Sequence, residues 1–145
     1  MKQFQIAILL CMMCILCACP SNEKNEHRYI KIINESNKNI AFQGIIDWKD
    51  TFFYCNNSAG NTILFGIRHD SLYFFKVSMR SSGWEDYLSK GQIMDIFIVD
   101  EELYKKHWSE PCDTIRKYVP VLHRYRLKLE DLQRMNWTVV YPPKE

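Results

Sequence analysis

The sequence predicts an all-β fold, mainly antiparallel: a two-layer β-sandwich carrying one to three short helical turns. From Tyr29 onward, apolar residues recur mostly at every second position rather than at helical spacing. Clusters rich in Asn and Ser, at 34–39 and 56–61, break the chain into short apolar runs. No strand–helix–strand rhythm, internal repeat or heptad is visible, which argues against a wound parallel sheet and for two packed sheets.

The first strand is Tyr29 to Ile33, rich in Ile, and the second is Ile40 to Ile46. Between them, Asn34-Glu35-Ser36-Asn37-Lys38-Asn39 supplies turn chemistry, so a β-hairpin is expected. Thr51 to Tyr54, Thr62 to Ile67 and Leu72 to Met79 are further strands, the last with Tyr73, Phe75, Val77 and Met79 on one face. Short helices fit Trp84 to Lys90 and Glu101 to His107. Ile93 to Val99 is almost continuously apolar and reads as a central strand; Asp95 within it reads as a charge at a sheet edge or on a solvent face. Val121, His123, Tyr125, Leu127 and Leu129 alternate with Leu122, Arg124, Arg126 and Lys128, so one side of that strand is wet. Leu129, Leu132 and Met135 are spaced for a helical turn, and Trp137, Val139 and Tyr141 share a face of a last strand closed by Pro142-Pro143.

Ahead of these elements lies a segment of different character. Met1-Lys2-Gln3 is a positive start, Phe4 to Leu16 is an apolar run too short to cross a bilayer core of ~30 Å, and Leu16-Cys17-Ala18-Cys19 ends it. That ending resembles a lipobox, the cleavage and lipidation signal of bacterial lipoproteins. The resemblance implies removal of residues 1–18 and a diacylglyceryl group on the Cys19 sulfur, with acyl chains anchoring at ~0.8 kcal/mol per buried CH₂. Pro20 rather than Asp follows Cys19, so no inner-membrane retention cue is present and the outer membrane is the expected address. Residues 19–27 then read as the lipidated Cys and a polar, flexible tether, and 28–145 as a single domain.

Of the six cysteines, Cys11, Cys14 and Cys17 fall in the discarded segment. Cys55 and Cys112 remain in the domain. They can form one disulfide, although spacing does not show that their Cβ atoms meet, and a reduced, buried pair is the favoured reading. Loss of Lys2 brings the formal charge from +2 to near +1, without the basic excess of a nucleic-acid binder.

Arg124-Tyr125, Glu130-Asp131-Leu132-Gln133, Asn136-Trp137 and Tyr141-Pro142-Pro143 resemble the ending of small uncharacterised lipoproteins from Gram-negative gut anaerobes. The strand Ile96-Phe97-Ile98-Val99-Asp100 and Trp108 resemble that group as well. The resemblance implies a location and a domain type, and no activity. One departure is Lys128, where those relatives tend to carry a Ser or Thr helix cap three residues before the acidic Asp131.

Catalytic patterns are poor. His69-Asp70-Ser71 holds triad residue types, but neighbours on a strand project to opposite faces. His107 and Cys112 are two metal-ligand types where a structural zinc site needs four. His123 reads as a core or edge histidine, and no spacing singles out an acid–base pair among the carboxylates. Gly-rich phosphate loops and paired CxxC motifs are absent from residues 28–145. No cofactor or metal is therefore expected.

Aromatic residues carry the functional hint. Trp48 and Trp84 lie in polar surroundings and are the expected ligand-facing pair, while Trp137 alternates with core residues. The basic row Arg124, Arg126 and Lys128 reads as a solvated strand face, with an acidic partner as the sharper alternative. Two classes follow: a tethered, non-enzymatic binding or accessory module that presents loops to a glycan or protein partner, or a structural component of the envelope without a small-molecule ligand. Exposed, adjacent Trp48 and Trp84 side chains favour the first, and burial of both favours the second.

Overall fold

Alternating side chains sort the strands into two sheets. The computed structural model describes residues 27–55, 64–76 and 83–144. In a three-stranded sheet, β1 (Tyr29–Asn34) is flanked by β4 (Ser71–Lys76), antiparallel to it, and β7 (Thr138–Tyr141), parallel to it. In a four-stranded sheet the order is β3 (Phe65–Ile67), β2 (Ile40–Ile46), β5 (Met94–Asp100) and β6 (Val121–Leu127), with every pair antiparallel. The described residues also form α1 (Trp84–Leu88), α2 (Glu101–His107), α3 (Cys112–Tyr118) and α4 (Leu129–Arg134). The described residues are mostly β and mainly antiparallel, with four short helices rather than one to three turns. The unexpected one is α3, which buries only Cys112 and Ile115 and so leaves little periodic signal.

Two cores lie on either side of the four-stranded sheet. The first joins both sheets: Ile30, Ile32 and Val139 pack with Phe42, Ile96, Ile98 and Leu127, together with Trp84, Leu88, Leu132 and Trp137. Within it the Tyr125 hydroxyl donates to the Val140 carbonyl at 2.5 Å, linking β6 to β7 across the sheets. Burial pushes that phenol far above its ordinary pKa, so it stays protonated and keeps donating. The second core is built on the opposite face from Ala41, Phe97 and Val99, covered by Phe53, Tyr104 of α2, and Ile115 and Val119 beside α3. Burial on both faces explains why β5 is nearly continuous in apolar residues. The helix α2 starts where expected because the Asp100 carboxylate accepts the backbone N–H groups of Glu102 and Leu103, at 2.9 and 3.0 Å.

Several expectations change in the fold. β1 and β2 are not a hairpin, because each pairs in a different sheet. Their connection is organised by buried Asn34, whose amide donates to the carbonyls of Lys38, Ile67 and Arg68 while its oxygen accepts from Ser36. The turn residues are read correctly, but turn chemistry does not choose a pairing partner. Residues 51–54 are irregular, since Phe53 is buried as a wedge in the second core rather than laddered. The strand expected over 62–67 is described only as Phe65–Ile67, and Val77 and Met79 lie outside the described residues. The register shifts between Ile98 and Val99, pairing them with His123 and Val121. This bulge turns Val121 toward the second core, away from Tyr125 and Leu127.

Candidate functional site

Cross-strand register assembles the site. β5 and β6 pair so that Asp95 lies opposite Arg126 and Phe97 opposite Arg124, all on the face turned away from the three-stranded sheet. Asp95 is 0 % exposed. Its Oδ1 accepts Nε–H of Arg124 at 2.8 Å and lies 3.3 Å from Nε of Arg126. Arg124 is further held by donating to the Trp48 carbonyl at 3.3 Å and by lying over the Phe97 ring, 5.0 Å from its centroid. Its side chain is 19 % exposed, whereas that of Arg126 is 57 % exposed and presents its guanidinium to solvent. Asp95 is therefore neither at an edge nor on a solvent face: β5 is internal to its sheet, and the carboxylate is an anchor for two guanidinium groups.

The segment 47–55 forms the other wall. Asp47, in the left-handed region at φ 52°, exchanges bonds with Ile93: its N–H donates to the Ile93 carbonyl at 2.8 Å and its carboxylate accepts the Ile93 N–H at 3.0 Å. The Trp48 indole N–H donates to the Phe52 carbonyl at 2.6 Å, and the ring meets Tyr54 edge-on at 5.7 Å. Arg116 of α3 donates to Asp50 at 2.7 Å and lies over the Phe52 ring. That hydrogen bond is the main reason the Asp50 carboxyl titrates below its ordinary value. Cys55 and Cys112 are joined by a disulfide with their Cα atoms 5.7 Å apart, so the favoured reduced pair is not what the structure holds. The loop carrying Trp48 is thus fixed to α3 by a covalent bond and an ion pair.

Between these walls lies an open groove of about 410 Å³, lined by Trp48, Lys49, Thr51, Arg124 and Arg126 among others. Its three cations outnumber its one lining carboxylate, that of Asp47, which already accepts the Ile93 N–H, so with the Thr51 hydroxyl and the Trp48 indole the groove suits a ligand that presents an anionic group beside a ring or apolar face. A second groove, about 250 Å³, brings His69 near Asp100 and Glu102. Asp100 is already engaged as the cap of α2, and no Ser, Thr or Cys is among its described lining residues.

The expected ligand-facing tryptophans separate. Trp48 lines the groove half-buried, but Trp84 is 3 % exposed in the first core, against Phe75 and Tyr87. Polar neighbours in sequence conceal its burial: Trp84 opens α1 on the helix's inward face, together with Leu88. Cys19 lies outside the described residues. His69 and Asp70 form an exposed turn, 3.4 Å apart, and Ser71 begins β4. Cys112 is spent in the disulfide, which removes it as a partner of His107 for metal. His123 is half-buried on the Tyr125 ring, on edge strand β6. Of the basic row, Arg124 and Arg126 reach the groove, whereas Lys128 stands at the N-terminal boundary of α4. Sequence reasoning missed the role of Asp95; the available signal was a lone carboxylate in an apolar strand and a row of alternating arginines on another. No family model, curated protein or solved structure matches this chain.

Proposed function

We propose that the chain is an envelope-anchored lipoprotein, tethered through Cys19 to the outer membrane, whose β-rich domain is a non-enzymatic binding module for an acidic glycan. The single observation that carries the binding reading is the pairing of Arg124 and Arg126 on buried Asp95, beside Trp48. Holding both cations on an internal carboxylate orients their remaining N–H donors before a ligand arrives, which lowers the ordering cost of binding. The indole offers the ring contact on which a sugar stacks. The same reading takes the two sheets as layers of a sandwich, supported by the core they share. The lipidated anchor rests on the leader sequence alone.

Calorimetric titration with polygalacturonate, against uncharged dextran, tests the binding. We expect binding to the acidic polymer that weakens with salt, and at least tenfold weaker binding for Arg126→Ala and for Trp48→Ala. Equal affinity for dextran, or no binding of either polymer, would leave the alternative of a structural or assembly component without a small-molecule ligand. That alternative draws on the burial of Trp84, which removes half of the expected aromatic surface. Replacement of Cys19 by Ala tests the anchor: the reading expects loss of incorporated fatty acid and release from the membrane fraction, and unchanged fractionation overturns it.

A further inference from the structure

Among the described residues no helix covers the outer face of the three-stranded sheet, in contrast to the outer face of the four-stranded sheet beneath α2 and α3. Register places Tyr29 opposite Lys76, Lys31 opposite Phe74 and Thr138, and Ile33 opposite Leu72 and Val140, all on this outer side. Tyr29, Leu72 and Phe74 are 48 %, 44 % and 56 % exposed, and the rings of Tyr29 and Phe74 meet edge-on at 6.2 Å. The face therefore joins apolar groups and an amphipathic phenol to two lysines, with no acidic residue at any of its register positions. A contiguous exposed apolar patch of this kind marks an interaction surface.

The chain leading to the anchor joins the sheet at the start of β1, two residues before Tyr29. His27 is clamped there: its backbone N–H and its imidazole contact Glu85, its carbonyl accepts the Trp84 N–H at 2.8 Å, and its ring stacks on Trp137 at 4.3 Å. The eight residue steps from Cys19 to His27 span at most about 28 Å when fully extended, on the order of the width of a domain of this size. The exit is thus fixed beside Tyr29 and the leash is short.

We infer that this face, Tyr29, Ile33, Leu72, Phe74 and Val140 with Lys31 and Lys76, lies against the surface of an anionic phospholipid bilayer. The inference rests on the Cys19 anchor for its geometry and on charge complementarity for its occupant. Apolar side chains enter the headgroup boundary, the tyrosine suits that boundary, and the lysines extend to lipid phosphates. Docked this way, the domain turns the four-stranded sheet and the Trp48 groove away from the lipid.

The test uses the processed full-length protein isolated from membranes and reconstituted into vesicles of phosphatidylethanolamine and phosphatidylglycerol, 3:1, with bromine-labelled acyl chains. A fluorophore is attached through Leu72→Cys in one sample and through Glu102→Cys, on α2, in another. Intact mass first reads whether Cys19 carries lipid. With lipid present, quenching at position 72 at least threefold stronger than at 102, and reduced by Lys31→Glu with Lys76→Glu, supports the docked face. Equal quenching at both positions overturns it and leaves the anchor standing. With lipid absent the anchor reading fails, and the same labels in Cys19→Ala protein added to the vesicles still decide: preferential quenching at 72 sustains the face, and none overturns it. A blue shift at 72 that grows with protein concentration without vesicles would assign the face to a second copy of this chain instead.

Discussion

Removing a carboxylate from water costs several kcal/mol even after relaxation. Asp95, wholly enclosed at the centre of its sheet, is tolerated because Arg124 gives its Oδ1 a charged hydrogen bond and Arg126 adds a second cation 3.3 Å away. Arg124→Met leaves that charge with one more distant, solvent-exposed partner, so a loss of about 3 kcal/mol in urea unfolding is expected. The double replacement Asp95→Leu with Arg124→Met should recover most of that loss while still failing to bind acidic polymer. A single substitution without cost would show that Arg126 alone neutralises the site. At Asp50 the folded-state pKa is depressed, chiefly by the Arg116 hydrogen bond. The stabilisation from that pair is therefore complete above the unfolded carboxyl value near 3.8 and is lost as pH falls through the lower folded value. Carboxyl NMR should place the Asp50 midpoint below 3.8, and Arg116→Met should return it to the ordinary range; an unmoved midpoint would reject the pair as the cause.

At the scale of elements, the helix caps show what local sequence provides. α2 begins at Asp100, whose side chain closes two backbone donors. α4 begins at Lys128, where Asp131 accepts the Lys128 N–H at 3.0 Å but the lysine side chain has no acceptor to offer in return. Lys128→Ser completes the reciprocal pair and should raise stability by about 1 kcal/mol, read as a shifted denaturation midpoint at unchanged slope. The sheets impose a stricter local demand at Gly44, where a Cβ would run into the ring of Phe75 from the facing strand. Gly44→Val should destabilise by roughly 1–3 kcal/mol through overpacking; a neutral result would mean that the ring swings aside. Most strands and three of the helices are legible from alternation, turn residues and helical spacing. Residues 51–54 are not, because an apolar run that wedges into a core looks the same as one that ladders.

Across the whole molecule, the Cys55–Cys112 bond closes a sequence separation of 57 residues and couples the groove wall to α3. A loop of that length corresponds to about 4 kcal/mol of stabilisation in the chain-entropy model. Reduction, or Cys112→Ser, should lower stability by up to that amount and weaken acidic-polymer binding, since the Trp48 segment loses its covalent tie. Retained affinity after verified reduction would show that the Asp50–Arg116 pair and the Trp48 hydrogen bond suffice. The candidate site was only partly legible: Trp48, Arg124 and Arg126 are conspicuous in sequence, but their convergence requires β2, β5 and β6 to be neighbours.

Local sequence already specifies a β-rich chain, where most strands begin and end, and that the apolar side chains of Met94 to Val99 demand burial. Those properties depend on alternation, turn preference and capping, all of which act over a few residues. Long-range packing alone parts β1 and β2 into different sheets, buries Trp84, brings Cys55 to Cys112, and encloses Asp95 beside two guanidinium groups rather than exposing it. Each of these is a contact between segments far apart in the chain, chosen by how two cores pack and not by any local propensity.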